Sequence, residues 1–394
     1  MAPAADQLSF STADLQNWRF VAQFQDELKV VLRNRPLTGS FADPERLLGM
    51  IDYLSLFLFG LFNPCVRTMR GLCQASRLER VQQEVCQRPV SLGSFSEAQH
   101  LLDRPFLEQV FGRLSQAVPH HPQDARLGQW EWLARDGSLF AALPRMEWAL
   151  YGAGAVGAPN RAVRLHLSLN ILEDKPQVAA LRPGKICERK VWRSQWQPGQ
   201  AYVGDRYFGE DYKAFGELQA LGCSHVIRLL DQAIVNVEEE LPLSAEDRAA
   251  HVERQAWVTL GGQKRYRSVR VRLVWVRTRE GNLVILATNL SPEQLPAHLV
   301  WLLYKQRWKV ELFFRWIKCI LGCRHWLAES PAGTAIQIYL ALIAALLLQL
   351  AFGRRPNKRM MELIQLHQMG IATAQELAEG LRREQDRITR GPKL

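Results

Sequence analysis

Near residue 130 the chain changes its hydrophobic period, and that change limits what it can fold into. Up to about residue 125 it reads as helical, with few strand-like alternations. Ser11 or Thr12 offers a cap for a helix carrying Asp14, Leu15, Trp18 and Val21, and Pro44 fits the first turn of a second helix reaching about Phe62. Asn63 and Pro64 signal the start of another helix, and Ser94 with Glu97 three residues on reads as a capping box. From about 130 the pattern is that of strands. Trp130 to Ala134 reads as a strand that ends in an acidic residue, Asp136, before Gly137. Residues 162–172 alternate apolar and polar after a turn rich in glycine (Gly152, Gly154, Gly157). A short strand then runs into Asp205, a helix spans about Asp211 to Leu221, and SHVIRLLD returns as a strand. This order implies an α/β domain with a central mixed sheet. Strands at 233–237, 256–260, 266–278 and 283–288 make the next segment β-rich.

The balance of charge narrows the partners. Fifty Lys and Arg against 39 acids give a net +11, which favours a polyanion, most simply nucleic acid. Arg67, Arg70, Arg77 and Arg80 among short helices suit either a helix-turn-helix-like DNA-binding unit or an ordinary bundle with solvated arginines. KRYRSVRVRLVWVRTR carries Arg265, Arg267, Arg270 and Arg272 with no acid. Alternation of Arg with Val predicts a sheet with one basic face toward a phosphate backbone, or else a solvated edge strand whose charges block aggregation. The seven cysteines form no CxxC pair, and Cys319, Cys323 and His325 lack a fourth zinc ligand, so reduced thiols are expected. The N-terminus has no signal-peptide layout. The run from Ile336 to Phe352 is apolar apart from Gln337 and Gln349, and it reads as a buried core helix of a soluble, cytoplasmic protein rather than a membrane span.

Chemistry concentrates in residues 304–318, YKQRWKVELFFRWIK. At about 100° per residue, one helix would set Tyr304, Arg307, Glu311 and Lys318 within an arc of roughly 60°. That stripe suits either a salt-bridged face or a carboxylate that holds a metal next to a phosphate. Upstream, Asp136 and Asp205 each close a predicted strand. Adjacent strands of one sheet bring two such aspartates together, and a helix packed across the sheet adds the glutamate. Three carboxylates so close raise one another's pKa, which a divalent cation relieves. Oxygen ligands suit Mg²⁺ or Mn²⁺, and two such ions activate a water or 3′-hydroxyl against a phosphodiester.

The spacing Tyr304, Arg307, Glu311, Lys318 resembles the signature of bacterial DDE transposases of the insertion-sequence-four family. DGS at 136 and GDRYFGEDY around 205 are similar to that family's two aspartate regions, in the same order. The resemblance runs over about 130–350, and more loosely over SFSEA in the N-terminal region. It implies an RNase H-like catalytic domain, a mixed sheet with flanking helices, interrupted by a β-rich insertion before the catalytic helix. The implied layout is a helical DNA-binding domain at 1–125, catalytic segments at 126–231 and 291–353, the insertion at 232–290, and a helical tail at 354–394. It implies Asp136, Asp205 and Glu311 as the metal triad for two Mg²⁺ ions, with Mn²⁺ as a substitute, and Tyr304, Arg307 and Lys318 as phosphate contacts. The implied partner is double-stranded DNA, at terminal inverted repeats and at the target, bound by a homodimer in a synaptic complex. One departure concerns a tryptophan that some relatives use to stack a flipped base. The aligned position holds Leu283, with Trp275 and Trp301 nearest, which leaves the second-strand pathway open. The rival class is a catalytically inactive, sequence-specific DNA-binding protein.

Overall fold

The computed structural model describes residues 17–35, 39–63, 65–102, 104–119, 126–153, 159–261, 268–319, 321–322 and 325–389. In chain order its helices are α1 (Asn17–Asn34), α2 (Met50–Phe62), α3 (Met69–Ala75), α4 (Glu79–Glu84), α5 (Leu92–Ala98), α6 (Arg104–Ala117), α7 (Glu188–Arg193), α8 (Tyr212–Ala220), α9 (Ala245–Ala249), α10 (Ala297–Gln306), α11 (Lys309–Cys319), α12 (Pro331–Phe352), α13 (Lys358–Gln368) and α14 (Ala374–Thr389). The strands are β1 (Trp132–Ala141), β2 (Leu150–Ala153), β3 (Pro159–Asn170), β4 (Lys175–Pro183), β5 (Ala201–Gly204), β6 (Ser224–Arg228), β7 (Val235–Leu241), β8 (Val252–Leu260), β9 (Val269–Arg277) and β10 (Leu283–Thr288). Two compact units result: residues 1–118, 141–148 and 314–394 form one, and residues 119–140 and 149–313 the other.

The first unit is helical and centres on α12, which packs against α1, α2 and α6. Ser330 caps it by accepting the Gly333 N–H, Pro331 occupies its first turn, and Gly353 ends it with φ 66°. The helix is long and apolar enough to cross a membrane, and 89% of its apolar window is buried. Its amide at Gln337 is satisfied inside the unit: Nε2 donates to the His325 carbonyl at 2.7 Å and Oε1 accepts the Leu327 N–H at 2.9 Å. Three sequence-based boundaries need correction. Helix α2 begins at Met50 rather than at Pro44, because Asp43 spends its side chain on the Glu45 N–H at 2.9 Å and holds a turn there. Asn63 closes α2 instead of opening the next helix, donating Nδ2 to the Phe59 carbonyl at 2.7 Å. The cap of α5 is Ser91, whose Oγ accepts the Ser94 N–H at 3.0 Å. Ser11, Thr12 and Pro64 lie outside the described residues.

The second unit is built on one sheet with the order β2-β3-β1-β5-β6-β10-β9-β8-β7, and β4 pairs with β3. Strand β5 is parallel to both β1 and β6, whereas β3–β4, β6–β10, β10–β9, β9–β8 and β8–β7 are antiparallel. The sheet is therefore mixed and flanked by helices, as the alternation of patterns implies. One feature differs from the sequence reading. Strand β1 runs on to Ala141, so Asp136 lies within a strand and not at its end. The segment carrying β7–β10 continues the same sheet, with β10 paired to β6. One apolar layer backs both halves, with Leu133, Tyr202 and Phe215 clustering with Val258, Leu273 and Ile285.

Candidate active site

Register decides where the two aspartates stand. In the parallel β1–β5 pair Ala134 lies opposite Val203. The paired register ends there; Asp205 is the first residue after β5, and Asp136 lies two residues beyond Ala134 on β1. Asp205 therefore emerges at the carboxyl end of β5, where open α/β sheets form their crevices, whereas Asp136 stands part-way along the longer β1. Asp205 Oδ1 accepts the Tyr207 N–H at 2.9 Å, an Asx turn that orients the carboxylate as the chain leaves β5. Asp136 Oδ1 accepts the Gly137 N–H at 2.7 Å. Burial pushes the Asp136 carboxyl up to about 7; Glu311 and Glu188 add to the rise, while the Gly137 N–H and Arg307 oppose it.

Residues 304–318 are not one helix. Helix α10 ends at Gln306 and α11 starts at Lys309, with Arg307 and Trp308 in the turn between them. The Arg307 N–H bonds to the Tyr304 carbonyl at 3.1 Å, and that of Val310 to the Arg307 carbonyl at 3.1 Å, contacts of the i→i+3 kind that tighten the chain. The Lys309 ammonium donates to the Ile171 carbonyl at 2.6 Å and pins the break just past β3. The uninterrupted stripe is thus replaced: Tyr304 is on α10, Arg307 in the turn, and Glu311 and Lys318 on α11. Arg307 still reaches Glu311, with Nη1 2.9 Å from Oε1, and its guanidinium sits 5.8 Å from the Tyr304 ring centroid. The other Glu311 oxygen, Oε2, is buried and has no hydrogen-bond partner. Burial raises the Glu311 carboxyl, Arg307 opposes the rise, and the field of Asp205 adds to it. Lys318 is half-buried, on the part of α11 that belongs to the first unit.

A fourth carboxylate went unread in the sequence. Glu188, the first residue of α7, is ion-paired to Arg164 of β3, and both side chains are largely buried. A Cβ on Gly137 would lie only 2.8 Å from Glu188 Oε1, so Glu188 rests against the backbone of the residue that follows Asp136. The one available sequence signal was that glycine, which leaves the strand bare where a side chain must approach.

The basic strand is placed differently from the expectation. Arg272 is fully buried: Nε donates to the Leu290 carbonyl at 2.8 Å, Nη1 to Gln255 Oε1 at 2.9 Å, and Nη2 to the Leu295 carbonyl. Burial lowers its pKa to about 10, and it presents nothing to DNA. The physical reason is that the segment joining β10 to α10 takes up the Arg272 guanidinium through the Leu290 and Leu295 carbonyls, and α10 packs against β9. Arg270 is exposed, but its Nε lies 2.8 Å from Glu238 Oε2 and its guanidinium lies over the Trp257 ring at 4.5 Å. Arg265 and Arg267 lie outside the described residues. Of the aromatic alternatives, Trp275 is buried beneath Arg254 and Trp301 stacks on Tyr304, while Leu283 is exposed at the start of β10.

Among the described residues no group of three or more His, Cys, Asp or Glu side chains is drawn together enough to hold one ion. Asp136 nevertheless feels Glu311, and Glu311 feels Asp205. The two observations agree once range is considered, since charges act on each other well beyond the ~2.0–2.6 Å of metal–oxygen bonds. The donors fit a hard divalent cation: all are carboxylate oxygens, and the buried Glu311 Oε2 is an acceptor with no donor.

Residues 136–347, more than half of the chain, match the family described as Transposase DDE domain. The chain belongs to the DDE transposase family. The DDE match begins at Asp136 and takes in Glu188, Asp205, Tyr304, Arg307, Glu311 and Lys318. A Sinorhizobium fredii protein named as a transposase is 37% identical over 81 residues, covering 21% of this chain and 22% of that protein. A Geobacillus stearothermophilus protein named as the transposase for an insertion sequence element is 27% identical over 207 residues, 52% of each chain. The matched regions thus span about a fifth and about half of those relatives' own lengths. A solved structure, the piggyBac transposase synaptic complex with hairpin DNA, gives a TM-score of 0.45 at 11% identity, over 97% of this chain and 81% of that one.

Proposed function

We propose that the protein is a cut-and-paste DNA transposase related to the insertion-sequence-four family. On this reading Asp136, Asp205 and Glu311 are its catalytic carboxylates. The observation that supports the reading is that Asp136 lies on β1 and Asp205 directly follows β5, its parallel neighbour, with Glu311 within electrostatic reach of both. An RNase H-like core is supported by the antiparallel β3–β4 hairpin beside the parallel strands β1, β5 and β6. Mg²⁺, or Mn²⁺ in its place, held as two ions by the three carboxylates would polarise the phosphodiester and acidify an attacking water or 3′-hydroxyl. The chain's own part is to hold that donor set. The Gly137 and Tyr207 N–H groups orient the two aspartates, and Arg307 fixes one Glu311 oxygen. Tyr304, Arg307 and Lys318 are assigned to phosphates near the cleaved end, and Arg265, Arg267 and Arg270 to the DNA backbone; Arg272 drops out. The net charge of +11 supports a duplex DNA partner. We assign terminal inverted repeats and target DNA as substrates, a homodimer as the synaptic form, and the bacterial cytoplasm as the place of action.

The test uses a duplex carrying the inverted repeats found in the DNA flanking the coding sequence. The full chain should nick it in Mg²⁺ to leave 3′-hydroxyls and then join those ends to a second duplex, and Asp205→Ala should reduce both steps to background. Cleavage that persists in a chelator, or full activity of Asp205→Ala, overturns the proposal. Tight binding by the native chain with no cleavage in Mg²⁺ or Mn²⁺ favours an inactive DNA-binding protein.

A further inference from the structure

We infer that Glu188 is a fourth carboxylate of the acidic site and strengthens its hold on a divalent cation, with Arg164 keeping it in place. The inference rests on the reading of Asp136, Asp205 and Glu311 as the cation-binding set. Three observations place Glu188 there. It opens α7 as the chain turns back toward β5, the strand that leads into Asp205. Its Oε1 accepts from Arg164 Nη1, so its position is set by β3, the neighbour of β1. Gly137 lets it lie against β1 itself: an added Cβ would meet Glu188 Oε1 at 2.8 Å and Arg164 Cδ at 3.3 Å. The electrostatics agree with that geometry, since Glu188 acts on Asp136 and Asp205 acts on Glu188.

Because Arg164 already holds Oε1, we assign Glu188 a positioning role and not that of a ligand. Its negative charge beside Asp136 adds attraction for a cation, and the arginine offsets only part of it. Such neighbours of metal ligands change affinity by about 10–100-fold, and partial compensation by Arg164 points to the low end, about tenfold.

The measurement is Mn²⁺ affinity of the full chain without DNA, from the loss of the free-ion electron paramagnetic resonance signal during titration. Glu188→Gln, which keeps the shape and removes the charge, should bind about tenfold more weakly. Glu188→Asp should recover most of that loss. Gly137→Ala should weaken binding by a smaller factor without changing any ionisable group, because its methyl displaces the flexible end of Glu188. Native affinity in Glu188→Gln overturns the inference, as does a loss that Glu188→Asp fails to recover. If Glu188→Gln does not fold by circular dichroism, Gly137→Ala decides, and native affinity in that variant overturns the inference. A native chain that binds Mn²⁺ no better than Asp205→Ala removes the cation-binding set itself, and this inference with it. Failure confined to the Glu188 and Gly137 variants leaves the three-carboxylate reading standing.

Discussion

Arg272 and Glu311 are both charged groups inside the second unit, and their surroundings serve them differently. Arg272 is fully buried, and its guanidinium meets three acceptors: the Leu290 and Leu295 carbonyls and Gln255 Oε1. Glu311 is less buried, yet one of its oxygens faces Arg307 and the other is buried without a donor. Asp136 resembles Glu311, with a single short-range donor and a pKa pushed to about 7. A charge that serves the fold is saturated by the fold, because an unmet buried group costs free energy and gives nothing back. A charge kept under-satisfied is the mark of a group held for something outside the chain. The difference separates a basic residue that looked like a DNA contact from acids that looked like metal ligands.

Arg272→Leu offers the largest break in this comparison. The substitution strands two carbonyls and one amide oxygen in the interior, which costs about 3–5 kcal/mol. Urea unfolding should show that loss, while the folded fraction keeps native affinity for duplex DNA. An Arg272→Leu chain of native stability that binds DNA weakly would restore the residue to the DNA surface and dissolve the contrast.

The converse variant, Asp136→Asn, should stabilise the chelator-treated protein. The sign follows from the shift from 3.8 to about 7. Below pH ~4 the carboxyl is protonated in both states and contributes no difference. Between ~4 and ~7 the unfolded chain ionises first, so stability falls as pH rises, and above ~7 the penalty is complete. The gain on removing the charge is therefore small near pH 4 and on the order of 4 kcal/mol at pH 8. Thermal unfolding at the two pH values checks it. A gain that is equal at both, or missing at pH 8, would mean that Asp136 is as well served as Arg272.

The same contrast explains which parts of the molecule were legible in the sequence. Strand alternation at 162–172 and the apolar run ending at Phe352 are local signals, and β3 and α12 follow from them. Asp136 and Asp205 drew notice because each follows an apolar run, but β1 continues past Asp136, and the parallel pairing of β1 with β5 is encoded by no single strand. The break between α10 and α11 was not legible. KQRWKV contains neither proline nor glycine, and the anchor is a tertiary bond from Lys309 to the Ile171 carbonyl. Arg272 misled for a related reason. An Arg–Val alternation reads as a half-exposed strand, but at Arg272 the segment joining β10 to α10 covers β9. Glu188 carries no motif at all, and only Gly137 and Arg164, distant in sequence, give it meaning.

The smallest effect belongs to Arg270, the exposed counterpart of Arg272 two residues away on the same strand. Its guanidinium lies 2.8 Å from Glu238 and 3.9 Å from Glu239, with Glu238 also bonded to Thr259 of β8. Exposed pairs of this kind exchange partners readily and add little to stability. Arg270→Gln should therefore leave the unfolding midpoint where it was. A phosphate that takes the place of Glu238 against Arg270 would instead show in the salt dependence of binding. Duplex affinity should fall modestly for all sequences, and the slope of log affinity against log salt should shrink by about one. An unchanged slope would mean that Arg270 only neutralises the acids of β7, leaving Arg265 and Arg267 as the contacts assigned to this basic segment.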